Sequence, residues 1–223
     1  MPDMQIILSS IAAGGLVGAA DQYLCLLLIS AAARLGFMEL SPEMAFVESW
    51  VFIGIVALFW IITLLPAYSS LLAPGVMNTV NTISRFLSGF LVPLSSAIMS
   101  LIAIGAITTI DPTLRLGLET IGIFDPTGFL GLSTGGQVVA GFGAMSGTAL
   151  TVTKAIAKPA VSTATGTIGT TSAPIYATVE NIGSVVLVGL AYVLTSIDPW
   201  LLVVLGVVVV LTVIGVLVFA FYQ

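Results

Sequence analysis

Long apolar runs alternate along the chain with short stretches rich in Gly, Pro, Ser and Asp. A helix needs roughly 20 apolar residues to cross a bilayer. On that measure the runs at 5–33, 45–65, 86–107, 135–157, 175–196 and 200–221 each predict one crossing. The expected architecture is all-α: a polytopic helical bundle of about six transmembrane helices with short loops, forming a single transmembrane domain over 1–223. The last run is rich in Val, but it is too long and unbroken to be a strand of a soluble domain.

The first run carries Gly14, Gly15 and Gly18. As one continuous helix it places Ser10, Gly14, Gly18, Asp21, Cys25 and Ala32 on one narrow face, at 100° per residue. Two readings follow. The face is a close-packing seam holding one buried acid, or the helix breaks at the glycines to bind a ligand. After Arg34 a turn leads to Ser41-Pro42-Glu43, which reads as an N-cap followed by proline at the first helical position. Pro66 should end the second span, with Trp50 near its start and Trp60 deeper in, and aromatic residues at span ends commonly anchor the interface. The semi-polar stretch 67–85, with Pro74-Gly75, Asn78, Asn81 and Ser84, predicts a surface-lying helix before the third span. Pro93 should kink that span. Residues 108–134 read as extramembrane or interfacial, with starts at Asp111-Pro112 and Asp125-Pro126.

The fourth span is the least hydrophobic. Its face of Gly136, Ala140, Gly143, Gly147, Thr151, Lys154 and Lys158 is small along most of its length and basic at its end. Gly143 and Gly147 form a spacing that lets helices approach closely in lipid. A Thr-rich connection then leads through Pro174 into a span with Glu180 near its start. An acid at a span centre costs about 2.5–3.5 kcal/mol to insert, which the Val, Leu and Ile residues that follow offset at roughly 0.3–0.6 kcal/mol each. If spans four and five form a hairpin, Lys154 or Lys158 reaches the level of Glu180, and pairing relieves both charges. Asp21, Lys154, Lys158, Glu180 and Asn181 are therefore the candidate intramembrane ion-pair or solute site. They can be a structural pair with a snorkelling lysine, part of a solute or proton path, or a neutral Glu180 with no partner.

Composition narrows the function. Of 223 residues, 58% are hydrophobic and 7% charged, and the mean hydropathy is +1.21. Soluble domains carry about 25% charged residues, so lipid is the expected solvent. A net charge of −5 with five Lys and Arg leaves no basic patch for nucleic acid. The chain has one Cys and no His, which removes an intrachain disulfide, His-based acid–base chemistry and the usual zinc and haem sites. No catalytic, cofactor or metal residues stand out. The small residues Gly18-Ala19-Ala20 look like a leader cleavage site, but Asp3 stands where a basic segment belongs, so the segment is expected to be retained. Six crossings would put both termini on one side, with Arg85, Lys154 and Lys158. The other side holds two arginines, and the Lys and Arg rule then makes the termini cytoplasmic.

The run at 26–40 (LLLISAAARLGFMEL), Lys154-Ala155 with Lys158, and Pro174 followed by Glu180-Asn181 are similar to a bacterial membrane family with plant members, the domain of unknown function forty-one twenty-six. The likeness covers both ends of the chain. It departs from the family at Asp21, Ala173 and Asn181. The resemblance implies a multi-pass protein of the bacterial inner membrane and brings no activity with it. The expected role is a small transporter-like or permease-like protein with an intramembrane acidic site. The alternative is a non-catalytic subunit of a larger membrane complex, and an enzyme acting on lipids is the weakest reading. The expected partners are membrane lipids and, beyond them, other membrane subunits or a second copy of the chain.

Overall fold

The computed structural model describes residues 2–68, 74–110, 134–164 and 172–222. Every regular element among them is helical, and no strand occurs there. In order they are α1 (Pro2–Ala19), α2 (Gln22–Arg34), a 3₁₀ turn (Pro42–Glu48), α3 (Trp50–Tyr68), α4 (Pro74–Ile110), α5 (Thr134–Ala164), α6 (Ser172–Ile197) and α7 (Trp200–Tyr222). Among the described residues, three helical stretches are long and apolar enough to cross a membrane: Trp50–Tyr68, Gly89–Ala106 and Pro174–Ile197. Gln5–Ala19, Gln22–Arg34 and Trp200–Val216 are shorter apolar helices. The protein is a helical membrane protein in that sense.

Helices α1, α4 and α5 pack against one another and form the centre. Small residues make this possible. A side chain at Gly14 would meet the carbonyl oxygen of Ser96 at 2.8 Å and the Cα of Gly143 at 3.0 Å, and one at Gly147 would meet the carbonyl oxygen of Gly14 at 2.7 Å. Ser146 Oγ donates to the Ile11 carbonyl (3.2 Å) and Thr151 Oγ1 to the Gly18 carbonyl (3.1 Å) across the same seam. The face predicted on the fourth span is thus a packing face from Gly136 to Lys154. Helix α7 covers α1 and α5, while α2 lies against α3 and α6.

The first apolar run is not one continuous helix. It breaks at Ala20 and Asp21, just beyond the glycines, so the single face expected from Ser10 to Ala32 is divided between two helices. The asparagine-bearing stretch 74–85 is not a separate surface helix either. It continues into the third span as one element of 37 residues, about 55 Å long. Asn and Ser cost a helix only tenths of a kcal/mol each, and no breaker separates Ser84 from Phe86. Pro93 lies inside α4.

The second span begins at Trp50 rather than at 45, because Pro42–Glu48 winds as a 3₁₀ turn. Ser41 stands at the head of that turn without a side-chain cap. Ser49 starts α3 instead, its Oγ accepting from the Phe52 N–H at 3.2 Å. Pro66 falls inside α3, which ends at Tyr68. The readings at Asp111-Pro112 and Asp125-Pro126 lie outside the described residues.

Helix α2 ends in a Schellman motif. Gly36 takes φ +77°, with the Phe37 N–H on the Ala32 carbonyl at 2.9 Å and the Gly36 N–H on the Ala33 carbonyl at 3.0 Å. Only glycine adopts that left-handed conformation without strain.

Candidate functional site

The site is the break between α1 and α2. Asp21 is the N-cap of α2, its Oδ1 accepting from the Tyr23 and Leu24 N–H groups at 3.0 Å each. The cap places a carboxylate on the positive end of α2, where the dipole favours it. The other half of the break is the negative end of α1. There Lys154 Nζ donates to the Ala20 carbonyl at 2.7 Å. The same ammonium pairs with Glu180 Oε1.

Asp21 and Lys154 therefore each sit where a helix end attracts them, and Glu180 is held by the lysine. The break also leaves backbone groups to be satisfied. The Asp21 N–H donates to Ser184 Oγ at 2.8 Å, while Ser184 Oγ donates to the Glu180 carbonyl at 2.8 Å. Three elements thus meet at one point: the α1–α2 junction, α5 through Lys154, and α6 through Glu180 and Ser184.

Of the predicted residues, the structure brings Asp21, Lys154 and Glu180 together. The lysine and glutamate side chains are about four-fifths buried, with exposures of 19% and 18%. Lys158 lies on α5, and its side chain is outside the described set. Asn181 Oδ1 is buried and takes no hydrogen bond, so the amide does not join the junction through that oxygen. Ser184 was not anticipated from sequence. Its signal was its position four residues after Glu180, which puts both on one helix face. Cys25 is buried beside the junction on α2.

The directions of α1 and α2 follow from their contacts with α6. Gln5 Nε2 donates to Asp198 Oδ1 at 2.8 Å and Ser9 Oγ to the Pro199 carbonyl at 2.7 Å. Helix α1 therefore starts at the far end of α6 and climbs to Ser184, about 21 Å along the axis. After the turn at Asp21 the chain comes back, since Tyr192 OH donates to the Phe37 carbonyl at 3.0 Å. Helices α1 and α2 make a V with its apex at Asp21. They touch little beyond that apex.

Between the arms lies a cavity of about 550 Å³, bounded by α1, α2, α4, α6, α7 and the turn at 36–39. Asp21, Lys154 and Glu180 do not line it. No group of three or more Cys, Asp or Glu suited to a metal ion occurs among the described residues.

No family model, no curated protein and no solved structure matches this chain.

The cap gives a first prediction. Asp21→Ala should destabilise the protein by about 1–2 kcal/mol, the cost of an N-cap, and Asp21→Asn should recover most of it. Thermal melts in detergent, followed through exposure of the buried Cys25 thiol, measure both. Equal losses for Ala and Asn would mean that charge rather than capping is what Asp21 supplies.

Proposed function

We propose that the chain is a small transporter-like protein of the bacterial inner membrane, with membrane lipids as its immediate partners. One observation carries the reading: a helix pair broken inside the bundle, with Asp21 and Lys154 set on the two helix ends at the break and Glu180 paired with the lysine. Discontinuous helices with charged partners at their broken ends are a recurring way to build solute sites near the bilayer midplane. Ionisable residues within spans are functional by default, because lipid makes them costly. The resemblance to the family of unknown function enters the proposal as kinship of fold only.

The topology proposed with it has α3 to α7 crossing the membrane, while α1 and α2 enter and leave on the side of Asp198 as a re-entrant pair. Support comes from the contacts of Gln5 with Asp198 and of Phe37 with Tyr192, which lie toward the same end of α6. Five crossings then stand in place of six. Lys154 and Lys158 lie toward one end of the bundle, while Glu39, Glu43, Glu48 and Asp198 lie toward the other. The lysine-bearing end is cytoplasmic by the orientation rule. The C-terminus is then cytoplasmic, and the N-terminus lies on the opposite face.

The rival reading, an accessory subunit of a larger membrane complex, is favoured by one observation: none of the three junction charges lines the cavity. Proteoliposomes offered a panel of organic cations, amino acids and sugars separate the two. Transport predicts protein-dependent uptake of at least one solute, lowered about tenfold or more by Glu180→Gln, a change of at least 1.36 kcal/mol in barrier. Uptake no faster than in protein-free vesicles across the panel would contradict it.

A further inference from the structure

Arg34 and Trp50 are brought together by the way one helix stops and the next starts. The Schellman turn at Gly36 ends α2 and leaves Arg34 in its last turn, where the negative end of the helix favours a cation. Ser49 caps α3 and sets Trp50 at its first residue. The Arg34 guanidinium carbon then lies 5.5 Å from the centroid of the Trp50 ring. This cation–π contact holds the cation in place and leaves its N–H donors for another partner. Among the described residues, no acid and no carbonyl takes an ion pair or hydrogen bond from that guanidinium.

The depth of the pair follows from α3. That helix is apolar and long enough to cross a membrane from its first residue. Trp50 therefore stands where a span meets the headgroups, the usual level of aromatic anchors, and Arg34 stands there with it. Leu35 and Phe37 on the turn, with Trp50 and Val51 on α3, are 64–72% exposed. Large apolar side chains standing out of a turn suit the layer just beneath the headgroups. An arginine with open donors at that depth meets the phosphodiester of a phospholipid.

We propose that Arg34 and Trp50 form a binding site for the phosphodiester of one membrane phospholipid. The guanidinium fork donates to two phosphate oxygens, the indole holds the guanidinium from its ring face, and Leu35, Phe37 and Val51 lie along the glycerol and upper acyl chains. Glu39, Glu43 and Glu48 belong to the same connection between α2 and α3, so no basic field draws the lipid in. The contact is local, and a zwitterionic head serves. The bound lipid ties the α2 turn to the start of α3 at the membrane surface. The site uses neither the junction at Asp21 nor the cavity, and it stands whether or not the chain transports a solute.

The test is native mass spectrometry of the full chain in dodecyl maltoside, titrated with dioleoylphosphatidylethanolamine. One lipid per chain should be retained, at least about tenfold more tightly than dioleoylglycerol, which has the same chains and no phosphate, because a hydrogen bond to a charged group is worth that much. Arg34→Gln should weaken retention about tenfold on the same ground. Arg34→Lys should fall between the two, since an ammonium keeps the charge and loses the fork. Trp50→Leu, which keeps apolar bulk and removes the ring face, should weaken retention about threefold.

Arg34 and Trp50 are both exposed, so their replacement should leave the fold intact, and burial of Cys25 checks each variant. Equal retention of dioleoylglycerol, or a folded Arg34→Gln that holds the phospholipid as the unaltered chain does, would overturn the site. Displacement of the lipid by excess inorganic phosphate would make soluble phosphate the ligand and overturn the lipid assignment. Retention undiminished by inorganic phosphate supports it.

Discussion

Lys154→Met should be the most damaging single substitution of a charged residue in this protein. The lysine neutralises Glu180 and satisfies the Ala20 carbonyl, just beyond α1, at one point. Removing it leaves a largely buried carboxylate facing the negative end of a helix. Breaking a buried pair from one side costs about 3–5 kcal/mol, whereas replacing both partners with apolar groups is often close to neutral. The double variant Lys154→Met with Glu180→Leu should therefore recover most of the loss, short of the Ala20 hydrogen bond. A double-mutant cycle reads this as a coupling of at least about 2 kcal/mol between the two sites. The single cysteine supplies the probe: Cys25 is buried, so the temperature at which it reacts with a maleimide marks opening of the junction. Additive losses would show that the pair does not hold the junction together.

The second large effect is steric. A side chain at Gly18 would fall on the backbone carbonyl of Gly147, closer than real atoms approach. No rotamer relieves a clash with backbone, so Gly18→Val should exceed the usual 1–3 kcal/mol of overpacking, reaching about 4 kcal/mol or failing to assemble at all. Gly54 is the control. It sits in α3 with nothing within 4 Å of an added Cβ, so Gly54→Ala should gain up to about 1 kcal/mol through the unfolded state. Yields of monodisperse protein and Cys25 reactivity measure the contrast. If Gly18→Val behaves like Gly54→Ala, the α1–α5 seam is not packed as described.

Much of this was legible in the sequence because charges are expensive in lipid and small residues at helical spacing mark close packing. The spacing of Gly143 and Gly147 marks the seam, and an isolated Lys and Glu on neighbouring spans find each other. The break at Asp21 was harder to see. An Asp before Gln22, Tyr23 and Leu24 is a capping pattern, but it stood inside 29 residues of apolar periodicity that also fit one helix. What decides between them is tertiary: Ser184 and Lys154 satisfy the backbone groups that a break exposes, and neither is near Asp21 in sequence. The cavity was not legible at all, because it arises from the divergence of α1 and α2 after that break. The continuity of α4 through 74–85 is hidden for the opposite reason, since the polar residues there suit a surface although none of them stops a helix.

The proposed re-entrant arrangement of α1 and α2 is tested most directly by the sidedness of the two chain ends. Small epitope tags fused before Met1 and after Gln223 are probed in intact and permeabilised spheroplasts. Five crossings with a hairpin predict that the N-terminal tag is reached in intact spheroplasts and the C-terminal tag only after permeabilisation. Both tags on one side would mean an even number of crossings and would contradict the hairpin.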